Sequence, residues 1–151
     1  MTTIIYDATF EGLLTVVFEI YERKLLQVKL HKEEFRNGAL FEEVLTIGTD
    51  EIKAKRVLKG LKERLSSEGI KRLYITHMAE MPDSDIILLG YIRHVFDSER
   101  NIEEDYGNKY VLRLSELTKM IGRERHRMEA FIRFQKLSDE TFYAAIEPDF
   151  N

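Results

Sequence analysis

"TIIYDATFEGLLTVVFEIYERKLLQVKLH", residues 3–31, changes its hydrophobic period twice. TIIYD (3–7) is short, β-branched and aromatic, and reads as a strand. From Phe10 the apolar residues fall at Phe10, Leu13, Leu14, Val17, Phe18 and Tyr21, one stripe of a helix over 10–24. Asp7 or Thr9 caps it. Gly12 sits in its first turns, a local cost that close packing would excuse. LLQVKLH (25–31) then alternates as a half-buried strand does. A strand, a helix and a strand in so short a segment announce a mixed fold.

Downstream the helical period dominates. NG (37–38) marks a turn and LFEEVLTIG (40–48) a further strand. Thr49 or Asp50 then caps a helix to about Leu65, with Ile52, Val57, Leu58, Leu61 and Leu65 on its buried side. SSEG (66–69) breaks it, and a helix over about 70–80 carries Ile70, Leu73, Tyr74 and Met78. MPDSD (81–85) ends that helix and caps IILLGYIRHVF (86–96), apolar enough to be central. An acidic loop, DSERNIEEDYGN (97–108), leads to a helix with Tyr110, Leu114, Leu117, Ile121 and Met128 on one face. AFIRFQKL (130–137), SDET (138–141) and FYAAIEP (142–148) have the look of a β-hairpin. The expected architecture is α+β: one helix-rich domain over 1–151, with strands at both ends and a C-terminal hairpin. The helix-rich middle weighs against an all-parallel doubly wound sheet.

Composition narrows the chemistry. Apolar residues make up 44% of the 151 and charged residues 33%, enough for a real core. With no Cys the chain forms no disulfide, no thiolate zinc site and no iron–sulfur cluster of its own. The N-terminus lacks the pattern of a signal peptide, and runs such as IILLGYI (86–92) fall far short of the ~20 residues that span a bilayer, so a cytoplasmic location is expected. A net charge of −4 argues against constitutive non-specific DNA binding, which relies on neutralising phosphates. Any nucleic-acid contact must be local.

RERHRMEAFIRF (123–134) is such a locality, with five Arg or His in twelve residues. On a helix, Lys119, Arg123 and Arg127 line up at i, i+4 and i+8, opposite Leu114, Leu117 and Ile121, with His126 beside them. Arg133, on the following strand, points away from the face that Ile132 and Phe134 bury. By spacing alone the plainest reading is a solvated face in which Glu116, Lys119, Arg123 and Arg127 pair with one another. Phosphate contact and a protein-partner surface are the other two. Arg125 projects toward the apolar side, so either the helix bends at Gly122 and re-aims it or it pairs internally; the bend is the expectation.

IYDATFEGLLTVVFEIYERK (4–24) and ERHRMEAFIRF with YAAIEP (124–148) resemble a family of DNA-metabolism proteins built on a domain of unknown function. The likeness runs from about Ile4 to Pro148, and Glu124, His126, Arg127, Met128, Phe131, Arg133, Phe134, Glu147 and Pro148 fit its tail motif. The resemblance implies a DNA-repair context: a radical-SAM protein as genomic partner and, in longer relatives, a fused uracil-DNA-glycosylase-like domain. It moves the reading of the basic stripe toward nucleic acid. Arg125 and Glu129 depart from the family's usual small residue and Lys, and the chain ends at DFN where relatives commonly continue, as a short form or a piece of a longer protein would.

Other constellations carry less. His31, His77, His94 and His126 show no metal-ligand spacing, and no Gly-rich phosphate loop or nucleophile elbow is present, so no metal and no cofactor are expected. Asp97, Glu99, Glu103, Glu104 and Asp105 read as a solvated loop rather than a cation site. Tyr6, Tyr91 and Tyr143 read as core residues before they read as base-stacking ones. Whether the chain is an enzyme stays open, with Glu124, His126 or Glu147 as the acid–base groups it would use. The leading expectation is a non-enzymatic module that binds DNA or a radical-SAM partner through Lys119, Arg123, His126, Arg127 and Arg133. An adaptor for that partner and an enzyme acting on damaged nucleotides are the alternatives.

Overall fold

The computed structural model describes residues 1–32 and 43–139, with side chains as far as 130 and at 132. The elements run β1 (Thr2–Tyr6), α1 (Phe10–Glu22), β2 (Val28–Lys32), β3 (Glu43–Thr46), α2 (Glu51–Arg64), α3 (Ser67–Met78), α4 (Ser84–Asp97) and α5 (Lys109–Asp139). This is the expected helix-rich α+β domain, with its small sheet at the N-terminal end.

The three described strands form one sheet. Its order is β2-β1-β3, and β1 pairs parallel with both neighbours, Ile4 facing Leu30 on one side and Leu45 on the other. Parallel neighbours need a long crossover, and α1 supplies the one between β1 and β2. The central strand is buried along nearly its whole length, whereas β2 alternates between half-buried and exposed positions.

Local chemistry sets the helix starts. Thr9 caps α1, its hydroxyl accepting from Gly12 N at 2.9 Å. Asp50 caps α2, accepting from Ile52 N and Lys53 N at 3.0 and 3.1 Å. SSEG starts a helix rather than only breaking one: Ser66 caps α3 and is itself fixed by Glu103, which accepts from Ser66 N at 2.7 Å. Asn108 Oδ1 takes Tyr110 N at 2.8 Å at the start of α5.

One core joins these elements. It is built from α1 (Leu13, Leu14, Val17, Ile20), α4 (Leu88, Ile92, Val95), α2 (Val57, Leu61) and α5 (Val111, Leu114, Leu117), with Ile4 of β1 and Leu73 of α3. The centrality expected of α4 is met, with Leu88 and Ile92 fully enclosed. Gly90 lets α4 approach α5, because a methyl there would lie 2.5 Å from atoms of the Tyr110 ring. Several apolar residues expected inside are outside: Ile52 (74% exposed), Met78 (59%), Tyr74 (48%) and Met128 (63%).

The C-terminal end departs most from expectation. Residues 130–137 do not form a strand; they continue α5, a helix of 31 residues and roughly 46 Å. The second arm of the expected hairpin, 142–148, lies outside the described residues, as does the NG turn at 37–38. Among the described residues no helix is long and apolar enough to cross a membrane.

Candidate nucleic-acid interface

The packing of α5 decides what its basic residues can reach. Its first half lies on α3 and α4, burying Val111, Leu114 and Leu117. From Gly122 to Ala130 every residue is exposed, so here the helix has no side turned to the core. This disposes of the Arg125 problem without a special device. The helix is unbroken through Gly122, and Arg125 is solvated, 74% exposed, with Nε 3.3 Å from Glu129 Oε1.

The stripe stands on the wet face. Lys119, Arg123 and His126 line one open groove with Gly122, Arg125 and Glu129. The expected salt-bridge lattice is only partly there. Glu116 pairs with Arg113 at 3.3 Å rather than with Lys119, and Arg113 also reaches Asp83. Arg127 is 3.3 Å from Glu124, and His126 Nδ1 is 3.8 Å from Glu129. Lys119 and Arg123 have no carboxylate partner among the described residues, which leaves two uncompensated cations one turn apart. Residue 133 belongs to the same helix and not to a following strand. Its position falls seven residues after His126, two turns on, and its side chain lies outside the described residues.

Glu124 and His126 do not converge on one pocket. Glu124 is turned to Arg127, and the His126 side chain is 90% exposed. Glu147 lies outside the described residues. The loop carboxylates have structural work: Asp105 holds His94 at 2.9 Å, Asp97 accepts from Tyr21 at 3.0 Å, and Glu103 fixes Ser66. Among the described residues no cluster of His, Asp and Glu could hold a metal ion.

Two features escaped the reading of the sequence. One is the carboxyl end of β1, where Asp7 accepts from Thr9 N and Thr9 Oγ1 at 3.0 and 2.7 Å and from Thr49. Burial alone would raise the Asp7 carboxyl, but the Thr49 and Thr9 hydrogen bonds together hold it below its ordinary value. Ala8 then turns through a left-handed φ of 62°, and its carbonyl accepts from buried His77 Nε2 at 3.0 Å. His77 Nδ1 faces Asp85 at 3.9 Å without a hydrogen bond. The Tyr6 hydroxyl is likewise buried, with no hydrogen bond of good geometry among the described residues; burial first, then nearby Asp85, pushes it well above the ordinary phenol range. Tyr6 and Tyr91 are thus core residues and not stacking platforms, with 1% and 3% of their surface exposed.

The other is α2, in which six of the twelve residues from Lys53 to Arg64 are Lys or Arg. That density exceeds the one in 123–134, and a plain count along the chain finds it. Only Lys53 is neutralised, by buried Glu19, which Arg23 also holds at 2.7 Å. Lys55, Arg56, Lys59, Lys62 and Arg64 form no ion pair among the described residues.

Residues 82–151, which take in α4 and α5, match the family model of a domain of unknown function, DUF4130. No curated protein and no solved structure matches the chain.

Proposed function

We propose that this chain is a non-enzymatic accessory domain of DNA metabolism or repair that grips a nucleic-acid backbone through α5. Lys119 and Arg123 make the first contacts, with His126, Arg127 and Arg133 extending them along the helix. The observation that carries this reading is the exposure of Lys119 and Arg123 with no carboxylate to displace among the described residues. An unpaired cation transfers its full share of counterion release to a phosphate. Arg127 must exchange Glu124 for the phosphate, a small cost, since exposed pairs are worth about 0–1 kcal/mol. The family likeness supports the DNA context and a radical-SAM protein as working partner, which would supply the iron–sulfur chemistry that a Cys-free chain does not hold.

The test is a titration with single- and double-stranded DNA at low salt. Wild type binds at least one of them, and Lys119→Glu with Arg123→Glu weakens that binding tenfold or more. A wild-type chain that binds neither, or a variant that binds as tightly as wild type, removes the proposal.

A further inference from the structure

We propose that a groove between α1, α2 and α4 binds single-stranded nucleic acid, stacking bases on aromatic walls while the cations of α2 follow the backbone. It takes from the reading above only the class of ligand and shares none of its residues. Among the described residues α2 packs on α1, α3 and α4 and not on α5.

The groove encloses about 490 Å³, in the range of small-ligand sites. Val57 forms its floor, and Phe18, Tyr21 and Phe96 its walls. Phe18 and Phe96 are only half-buried and Tyr21 is 42% exposed, so aromatic surface that could have been enclosed is open to solvent. Tyr21 stands edge-on to Phe96 at 6.0 Å between centroids, which fixes both rings.

Charge selects the occupant. The Arg56 guanidinium lies 5.5 Å from the Phe18 centroid and that of Arg64 5.2 Å from the Phe96 centroid. Each guanidinium therefore lies over a ring, with the Lys53 ammonium over Phe18 as well at 5.4 Å, and of these cations Arg56 lines the groove. On the outer side of α2, Lys59 and Lys62 follow Arg56 at i+3 and i+6 with Lys55 beside them, all exposed, while Arg64 falls on the opposite side of the helix from Lys55 and Lys62. Glu22 lies on the α1 side and turns an anionic backbone toward α2. The Tyr21 ring, beside cations that have no carboxylate partner among the described residues, suits a ligand with planar bases on a phosphate chain. A duplex keeps its bases stacked inside and offers only the charge.

The experiment is fluorescence anisotropy with labelled oligothymidylate, an abasic strand of equal length, and a duplex. Circular dichroism and the melting curve confirm that each variant is folded. Oligothymidylate should bind wild type about tenfold more tightly than the abasic strand does. Tyr21→Ala should erase that difference without altering the salt dependence, and Tyr21→Phe should keep it. Arg56→Glu with Lys59→Glu and Lys62→Glu should lower the slope of log K against log salt by about 2, at roughly 0.7 per single-strand phosphate contact. Lys119→Glu with Arg123→Glu should leave the preference for bases in place. Equal binding of the abasic strand and oligothymidylate overturns the inference, as does an α2 variant that binds like wild type. So does an acidic peptide of matched charge that competes as well as the oligonucleotide. If only the α5 variant loses binding, this inference fails and the α5 reading stands; if wild type binds no nucleic acid, both fail.

Discussion

Gly12→Ala should destabilise the domain by about 2 kcal/mol, although the same change at an open helix position would stabilise it. A methyl at Gly12 overlaps Asp7 Oδ1 and comes within 2.9 Å of Thr9 Oγ1. The carboxylate is the end of a side chain, so it swings away, and the cost is what it leaves behind. Three hydrogen bonds go: two from Thr9, at 3.0 and 2.7 Å, and one from Thr49. They lie at the surface, where about 1 kcal/mol each is a fair value, or ~3 in all. Alanine returns ~1 kcal/mol through helix propensity. A net loss of about 2 kcal/mol corresponds to a Tm lower by about 4–8 °C in a domain of this size. The control is the same change in an Asp7→Ala background. There the obstruction is gone, and Gly12→Ala should be neutral or stabilising by up to about 1 kcal/mol. Urea melts of the four proteins close the cycle. A neutral Gly12→Ala in wild type, or an equal cost in both backgrounds, would refute the packing argument.

Other consequences follow from the same structure. Asp7 and Glu19 both titrate below their ordinary values, Glu19 chiefly through its hydrogen bonds from Lys53 and Arg23. Their contribution is fully present above an ordinary carboxyl pKa of about 4 and is lost as pH falls through the lower folded values; urea midpoints from pH 6 to 2 should show the loss, flattened in Asp7→Asn with Glu19→Gln. Tyr21 is pushed up to about 12 by burial and then by Asp97, and Tyr91 to about 12 by burial and then by Glu103. Both contribute stability below pH ~10 that is lost as pH rises toward the folded values, so phenolate absorbance should climb late and together with unfolding. Gly90→Ala drives a methyl into the Tyr110 ring and should cost about 1–3 kcal/mol as α4 and α5 separate, with Gly90→Ala/Tyr110→Ala showing no further penalty from the methyl.

The parts of the fold that sequence predicts are those where periodicity and capping agree. Thr9 and Asp50 stand ahead of strong apolar stripes, and α1 and α2 begin there. The sharp burial of α4 follows from a run too apolar to be anything but central. Strand direction was not legible, because the alternation of β2 is the same whether its partner runs with it or against it. The misread strand over 130–137 has a definite cause. Phe131, Phe134 and Leu137 fit a helical repeat as well as a strand one, and no Gly or Pro interrupts the chain between Arg123 and Asp139. A helix already formed on α3 and α4 therefore propagates. Ile52 and Met78 have helical spacing too, but it does not say which face meets a neighbour, and both are exposed. For the interface, spacing located Lys119, Arg123 and Arg127 on one side, whereas which of them keep a carboxylate depends on rotamers that spacing does not specify.

The most direct measurement of the central claim is the salt dependence of DNA binding by wild type and by Lys119→Glu with Arg123→Glu. Each duplex phosphate contact contributes about 0.9 to the slope of log K against log salt, so the variant should lose about 2 from that slope along with its affinity. Equal slopes for the two proteins would mean that the α5 cations meet no phosphate, and the account of this face would be wrong.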